Sequence, residues 1–444
     1  MFTRVLLIAV VGLASLGLST GCEKTNHENI DKWTRTSKGP GKLKKALIDE
    51  GLDADLSAHA AANMIRMGND PDVRTAFDEM SQARKVLVIA KLAPRMWDLA
   101  RIDREDALPG SGQIVAKDAL ISLRKHGDDA QRQQIDSYLV DWYAVMSYEG
   151  RAKVGATLGA AVMRMVGPAA GKKLMSVVNS VIAAPGQEKT KIRLGDELML
   201  GLAASGNPEA VKYVLDIAKM DRGDPTLSKR AMHQLYTAYV DPGGLFDLAD
   251  PQALVANLDG LVDIAKAENM AGQPANDAIA LIRAAGSPQC FQPLVSMVRL
   301  PHPDIRFRYA TAYAALYCGG SKLIGDVVRA LPDSGNYVRE ELHGAVSGEI
   351  AKMSPRDEVL GQLRDLLADK GRVTRWVAIE ALAAMKSVED VPKIEALSGS
   401  KDKLTGYFGD QSNRPVAERK TDPTLGQRAK ELAAALSSVA ESPK

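Results

Sequence analysis

Histidines, cysteines and paired carboxylates are the side chains from which a catalytic or metal centre would be built. The six histidines are His27, His59, His126, His233, His302 and His343. None lies three or four residues from another, so no single helix face offers two imidazoles to one metal ion, and no His-Glu-x-x-His occurs. The three cysteines, Cys22, Cys290 and Cys318, form no Cys-x-x-Cys pair of the zinc or redox kind. Gly39-Pro40-Gly41-Lys42-Leu43 lacks the hydroxyl that must follow the lysine of a P-loop. Pro109-Gly110-Ser111-Gly112 opens a helix, where free N–H groups can face an anion, but it reads as a simple turn and has no Gly-x-Ser-x-Gly spacing. Asp128-Asp129 and Glu340-Glu341 fall at helix starts, where the positive end of the helix dipole favours them. Nothing in this inventory needs catalysis to explain it. The expectation is a protein that is not an enzyme, with no catalytic residue, no metal and no cofactor.

The elements that must position these side chains are helices. Of the 444 residues 45% are hydrophobic but only 5% are aromatic, so Ala, Leu, Val, Ile and Met carry the core. That composition favours helices over a β-sandwich. A charged fraction of 25% beside this apolar content excludes a disordered chain. The 57 basic and 55 acidic residues leave a net charge of +2, which argues against a nucleic-acid binder. From Lys42 onward apolar residues recur at three and four spacing. Asp70-Pro71, Asn207-Pro208, Asp224-Pro225, Asp250-Pro251, Ser287-Pro288, Ser354-Pro355 and Asp422-Pro423 each set a capping side chain before a proline, predicting many short helices.

The helices repeat. Small-residue junctions at 286, 320, 354 and 387 are separated by 34, 34 and 33 residues. In phase with them, Asp304-Ile305-Arg306, Tyr337-Val338-Arg339 and Val373-Thr374-Arg375 each open the second helix of a pair. One pair cannot bury its own apolar face, so pairs must stack. Segments such as Ile305 to Leu316 resemble the HEAT repeat, especially its short bacterial form, and the resemblance covers best Ser287 to Leu397. It implies an all-α solenoid of stacked antiparallel helix pairs, roughly ten to twelve of them. It also implies that Arg306, Arg339 and Arg375 brace the turns of their repeats. Some HEAT-repeat enzymes hold iron with paired His-Glu steps. This chain has one such step, His27-Glu28, so a site of that kind is not expected.

Within the pair that spans 287 to 320, Cys290 opens the first helix and Cys318 closes the second. In an antiparallel hairpin these ends are neighbours. The pair is either a disulfide stapling one repeat or two separate buried thiols, and the disulfide is the expectation. Residues 398–422 interrupt the repeats. There Tyr407 and Phe408, with Arg414 nearby, sit among Gly and polar residues, as the anchors of a partner-binding loop would. The alternative is that the aromatic rings tuck back and cap the last repeat.

The N-terminus carries an address. One basic residue, Arg4, precedes an apolar run from Val5 to Leu18, too short to span a bilayer. Leu18-Ser19-Thr20-Gly21-Cys22 resembles the lipobox of bacterial lipoproteins. This resemblance implies cleavage before Cys22 and acylation, including palmitate-type chains, at that residue. Several acyl chains hold firmly where one does not. Glu23, rather than Asp, implies the outer membrane, facing the periplasm.

The organisation expected is therefore a signal peptide at 1–21, lipidated Cys22 with a polar tether to 41, and N-terminal helix pairs at 42–150. A Gly/Ala/Met-rich atypical pair at 151–186, HEAT-like repeats at 187–397, a loop insertion at 398–422 and a capping helix with tail at 423–444 complete it. The function expected is a membrane-anchored scaffold or adaptor for a protein or peptide partner, with no nucleic-acid partner. Alternatives are a chromophore- or cofactor-handling enzyme of the HEAT-like lyase type and a structural envelope spacer.

Overall fold

The structure is a computed structural model describing residues 24–183, 195–219, 225–267, 272–300, 304–333, 340–409 and 411–441. The signal peptide, Cys22 and Arg339 lie outside the described residues. Those described form 24 α-helices and a single isolated β-bridge, Lys403 with Thr424. The helices are α1 (His27–Trp33), α2 (Gly39–Ile48), α3 (Ala54–Arg66), α4 (Asp70–Glu79), α5 (Gln82–Ala100), α6 (Ser111–Arg124), α7 (Asp129–Tyr143), α8 (Tyr148–Ala152), α9 (Gly159–Val166) and α10 (Pro168–Ala183). There follow α11 (Asp196–Ala204), α12 (Pro208–Lys219), α13 (Pro225–Tyr239), α14 (Gln252–Val255), α15 (Leu258–Lys266), α16 (Gln273–Ala284) and α17 (Phe291–Val298). The last are α18 (Ile305–Gly319), α19 (Ile324–Ala330), α20 (Glu340–Ile350), α21 (Arg356–Leu366), α22 (Arg372–Ala384), α23 (Val391–Glu395) and α24 (Leu425–Glu441). The fold is all-α, built from stacked helix pairs as a solenoid is.

The chain divides into two compact units within α9 and α10. Of the described residues, the first unit holds 24–162 and 177–183 and the second 163–176 and 195–441. In the second unit the pairs form two layers. One runs α11, α13, α16, α18, α20, α22, α24, each helix packed on the next; the other runs α12, α15, α17, α19, α21. The core lies between the layers and is made of small aliphatic side chains such as Leu281, Ile282, Ala315, Val327, Leu363 and Ile379. In the first unit α1, α3, α5 and α7 make one row, with α2 packed on α4 beside it.

The polar tether expected to run to residue 41 is instead two helices. Asn26 caps α1 by accepting from the Asn29 N–H at 2.8 Å, and Ile30 and Trp33, three apart, are buried. A Cβ on Gly39 would run into the Trp33 carbonyl, and Pro40 sits in the first turn of α2, where no N–H is needed. The Gly-Pro-Gly at the end of the expected tether is thus a close approach followed by a helix start.

The cap-proline pairs divide by what else the capping residue touches. Asn207 caps α12 directly, accepting from the N–H groups of Glu209 and Ala210, both at 3.0 Å. At Asp422-Pro423 the carboxylate turns away and accepts from Gly406 and Phe408 N–H groups. Thr424 caps α24 instead, in a reciprocal pair with Gln427. The helices after Ser287-Pro288 and Ser354-Pro355 begin at Phe291 and Arg356.

Cys290, the N-cap of α17, and Cys318, in the last turn of α18, form a disulfide with Cα atoms 6.2 Å apart. The start of one helix therefore lies beside the end of the next, the antiparallel arrangement of a hairpin.

Candidate functional site

The residues singled out from sequence go to different places. Arg306 is exposed and makes no ion pair among the described residues; only its backbone N–H is used, by Asp304 at 2.8 Å. Arg375 does not brace its own turn. It donates to Asp402 at 2.6 Å, tying α22 to the 398–422 loop. The link between repeats is made three residues earlier by Arg372, whose Nε donates to Asp333 at 2.6 Å, one repeat back. Arg329 with Asp369 at 2.9 Å makes a similar step. Asp390, fully buried, accepts from Ser387 and from Arg364 through Nε and Nη2 at 2.8 and 2.9 Å. Burial pushes the Asp390 carboxyl up, but the Arg364, Ser387 and Lys393 bonds outweigh it and hold it below the ordinary range.

Of the loop aromatics, Tyr407 is turned inward and Phe408 is half-buried. Tyr407 is 3% exposed. Four rings stand in succession, His343, Trp376, Tyr407 and Phe408, with centroids 4.8, 5.2 and 4.9 Å apart. Arg428 lies over Tyr407 and is itself held by Glu380 at 2.7 Å, while Lys420 lies over Phe408. Arg414 gives its carbonyl to Arg419 within the loop. The loop is closed at its base by Leu404 with Pro423 and Leu425 with Asp402. It caps the last repeat, because an apolar solenoid end must be covered and Tyr407 supplies the area.

An open aromatic surface lies elsewhere, on α18. Tyr309, Tyr313 and Tyr317 recur every fourth residue, so they share one face of the helix. Their ring centroids are 6.1 and 6.5 Å apart, and Tyr317 is 65% exposed. Arg283, from the last turn of α16, lays its guanidinium over Tyr317 at 4.3 Å and Tyr313 at 5.9 Å. No carboxylate among the described residues pairs with it. Beside the rings is a cleft of about 290 Å³, walled by Tyr313, Tyr317, Glu349, Lys352 and Met353. Glu349 is engaged: Lys352 donates to it at 2.9 Å and the Tyr309 hydroxyl at 3.4 Å. The cleft thus offers aromatic side chains and a neutralised ion pair, and Arg283 lies over two of its rings. The signal was present in sequence. Three of eleven tyrosines stand within nine residues at helical spacing, in a chain with few aromatics.

A second cluster joins α1, α3 and α5 in the first unit. His27 and His59 face each other through Nδ1 atoms at 2.8 Å, while His59 Nε2 meets Asp31 at 2.8 Å and His27 Nε2 meets Asp55 at 3.3 Å. Asn63 donates to Asp31 and Arg95 to Asp55. Burial, ahead of the opposing Asp31 charge, pushes His59 below the usual histidine range, with Arg95 and His27 adding to it. Sequence spacing does not reveal the cluster, since its histidines are 32 residues apart. Among the described residues no group of three His, Cys, Asp or Glu side chains is placed to hold a metal ion.

No family model matches the chain, and no curated protein matches it. Among solved structures, the crystal structure of an engineered protein from the Northeast Structural Genomics Consortium aligns over 93% of this chain and 97% of its own. The identity is 14% and the TM-score 0.28. The class the fold defines is that of all-α helix-pair solenoids.

Proposed function

We propose that the protein is a lipid-anchored scaffold or adaptor of the bacterial envelope that binds a protein or peptide partner on its helical-repeat surface. The observation that carries this reading is the Tyr309-Tyr313-Tyr317 face with Arg283 over it. Tyrosine supplies large, rigid contact area at low entropic cost, and aromatic residues with arginine dominate binding hot spots. The lipobox-like Leu18 to Cys22 supports the anchor, and the HEAT-like repeats support a binding rather than a catalytic role. No described helix is long and apolar enough to cross a membrane.

The test is crosslinking in intact cells followed by mass spectrometry, comparing the natural chain with Tyr313→Ala/Tyr317→Ala. A reproducible partner crosslinked to α18 or α20 and lost in the double variant is the expected result. A natural chain that captures no partner at all would remove the reading. Metabolic labelling with a palmitate analogue tests the anchor, and Cys22→Ser is expected to abolish it.

A further inference from the structure

The two histidines that join α1 to α3 have the surroundings of metal-binding imidazoles. In a metal site each ligating imidazole uses one ring nitrogen on the ion and gives its other N–H to a carboxylate, which fixes the ring. Here His27 turns Nε2 to Asp55 at 3.3 Å, and His59 turns Nε2 to Asp31 at 2.8 Å. Each carboxylate is held in turn, Asp55 by Arg95 at 2.8 Å and Asp31 by Asn63 at 2.9 Å. These bonds keep both carboxyls below the ordinary range, so near neutral pH they are ionised and only accept. The Nε2 atoms therefore face acceptors, and the Nδ1 atoms are the nitrogens left to meet a cation. Those two atoms face each other, 2.8 Å apart, with ring centroids 5.0 Å apart.

Two imidazole nitrogens on one tetrahedral zinc, each at about 2.0–2.1 Å, lie about 3.3 Å apart, and the gap between the Nδ1 atoms is about half an ångström short of that. A small rotation of His27 supplies the difference. Its side chain is 53% exposed on the first turn of α1, whereas that of His59 is 12% exposed and held in the body of the unit. The same exposure leaves room for water in the remaining coordination positions, since no third His, Cys, Asp or Glu among the described residues is placed as a ligand. Imidazole suits zinc and copper, while magnesium and calcium take oxygen ligands. We propose that His27 and His59 bind a divalent ion of the Zn(II) and Cu(II) class through their Nδ1 atoms, with Asp55 and Asp31 orienting the rings. Coordination replaces the contact between the two rings and ties α1 to α3. The site lies within the first unit and does not depend on the scaffold reading.

The experiment titrates the full purified chain, stripped with a chelator, with zinc chloride and separately with copper(II) sulfate, read by calorimetry. One ion per chain is expected, with copper held more tightly than zinc, the order that nitrogen sites impose. Magnesium chloride should give no response. Hydrogen exchange resolved by peptide should slow in α1 and α3 when zinc is added. His27→Gln, at the half-exposed position, should abolish the saturable site while circular dichroism stays unchanged. Asp31→Asn should weaken binding by about 10–100-fold, because the ring of His59 loses its orienting carboxylate. His233→Gln, at an exposed histidine outside the pair, should bind as the natural chain does. Absence of saturable zinc or copper binding would overturn the proposal and leave the pair a hydrogen-bonded contact only. So would binding that His27→Gln leaves unchanged, or that His233→Gln removes. Equal binding of magnesium would also overturn it, since carboxylates would then be the ligands.

Discussion

The two units of this chain solve the same packing problem with different chemistry. The second unit relies on repetition. Aliphatic side chains fill the space between two helix layers, and ion pairs such as Arg329 with Asp369 and Arg372 with Asp333 link residues about one repeat apart. The first unit relies on single buried cations. Arg151, 2% exposed, donates to the carbonyls of Trp142 at 2.8 Å, Arg104 and Ala107 at 3.2 Å and Glu105 at 3.4 Å. Lys117, with a fully buried side chain, pairs with Asp118 at 2.6 Å and lies over the rings of Trp142 and Tyr143. Burial pushes its ammonium below the ordinary lysine range, against the Asp118 charge. Arg84 reaches Ser57 and the Asp49 carbonyl in the same manner. Repetition spreads stability over many equivalent contacts. A buried cation concentrates it in one residue whose loss nothing neighbouring replaces.

The largest effect that distinguishes the units should therefore come from Arg151→Ala. It strands buried carbonyls and leaves a cavity, at a cost of about 3–5 kcal/mol. Hydrogen exchange resolved by peptide should show the loss in helices α5 to α8, with α16 to α24 unchanged. Equal loss in both units would erase the contrast. Next in size is the reverse case, Cys290→Ser/Cys318→Ser. Opening this single-hairpin loop should remove about 3 kcal/mol. The exchange increase should be confined to α17 and α18 and their stacked neighbours.

A smaller, pH-dependent effect should again separate the units. His59 and His126 are held below the usual histidine range, chiefly by burial, with Asp31 and Asp78 opposing. The unfolded chain takes up these protons first, near pH 6.5. Stability of the first unit is therefore full above that pH and falls as the pH drops through it toward the lower folded values. Asp31 and Asp55 act in the same direction further down. Their carboxyls lie below the ordinary range because Asn63 and Arg95 hydrogen-bond them, so their contribution is lost as those carboxylates protonate. Thermal melts at pH 7.5 and 5.5 should show the decline, and His59→Gln should flatten it. The smallest effect serves as a baseline. Lys212→Ala breaks an exposed pair with Asp216, four residues on, and should change stability by about 0.5 kcal/mol or less.

How much was legible follows the same division. The repeat steps from 286 to 387, the helix pairs and the approach of Cys290 to Cys318 depend on spacing within one hairpin, and spacing is what a sequence displays. The cap-proline rule located α12 directly, yet at Asp422 the same side chain was drawn to the Gly406 and Phe408 amides of a loop. Residues 24–41 are polar enough to read as a tether. Their two apolar side chains, Ile30 and Trp33, declare a helix only once another surface is there to bury them. Tyr407 looked like an interface anchor because aromatics in a polar loop have two destinations, a partner or the chain's own open end. The tyrosine face on α18 was visible as a pattern but not as a surface.

The sequence by itself determined the helical class, the period of its stacking and the hairpin that a disulfide closes. These follow from propensities and from contacts three, four or some thirty residues apart within one local unit. Only the tertiary structure decided that His27 meets His59, that Arg151 is buried among carbonyls, that Tyr407 turns inward and that Tyr317 stays open beneath Arg283. Each depends on the register in which one helix lies against another. Neighbouring registers bury similar apolar area, and the choice among them is made by interlocking side chains that no period along the chain records.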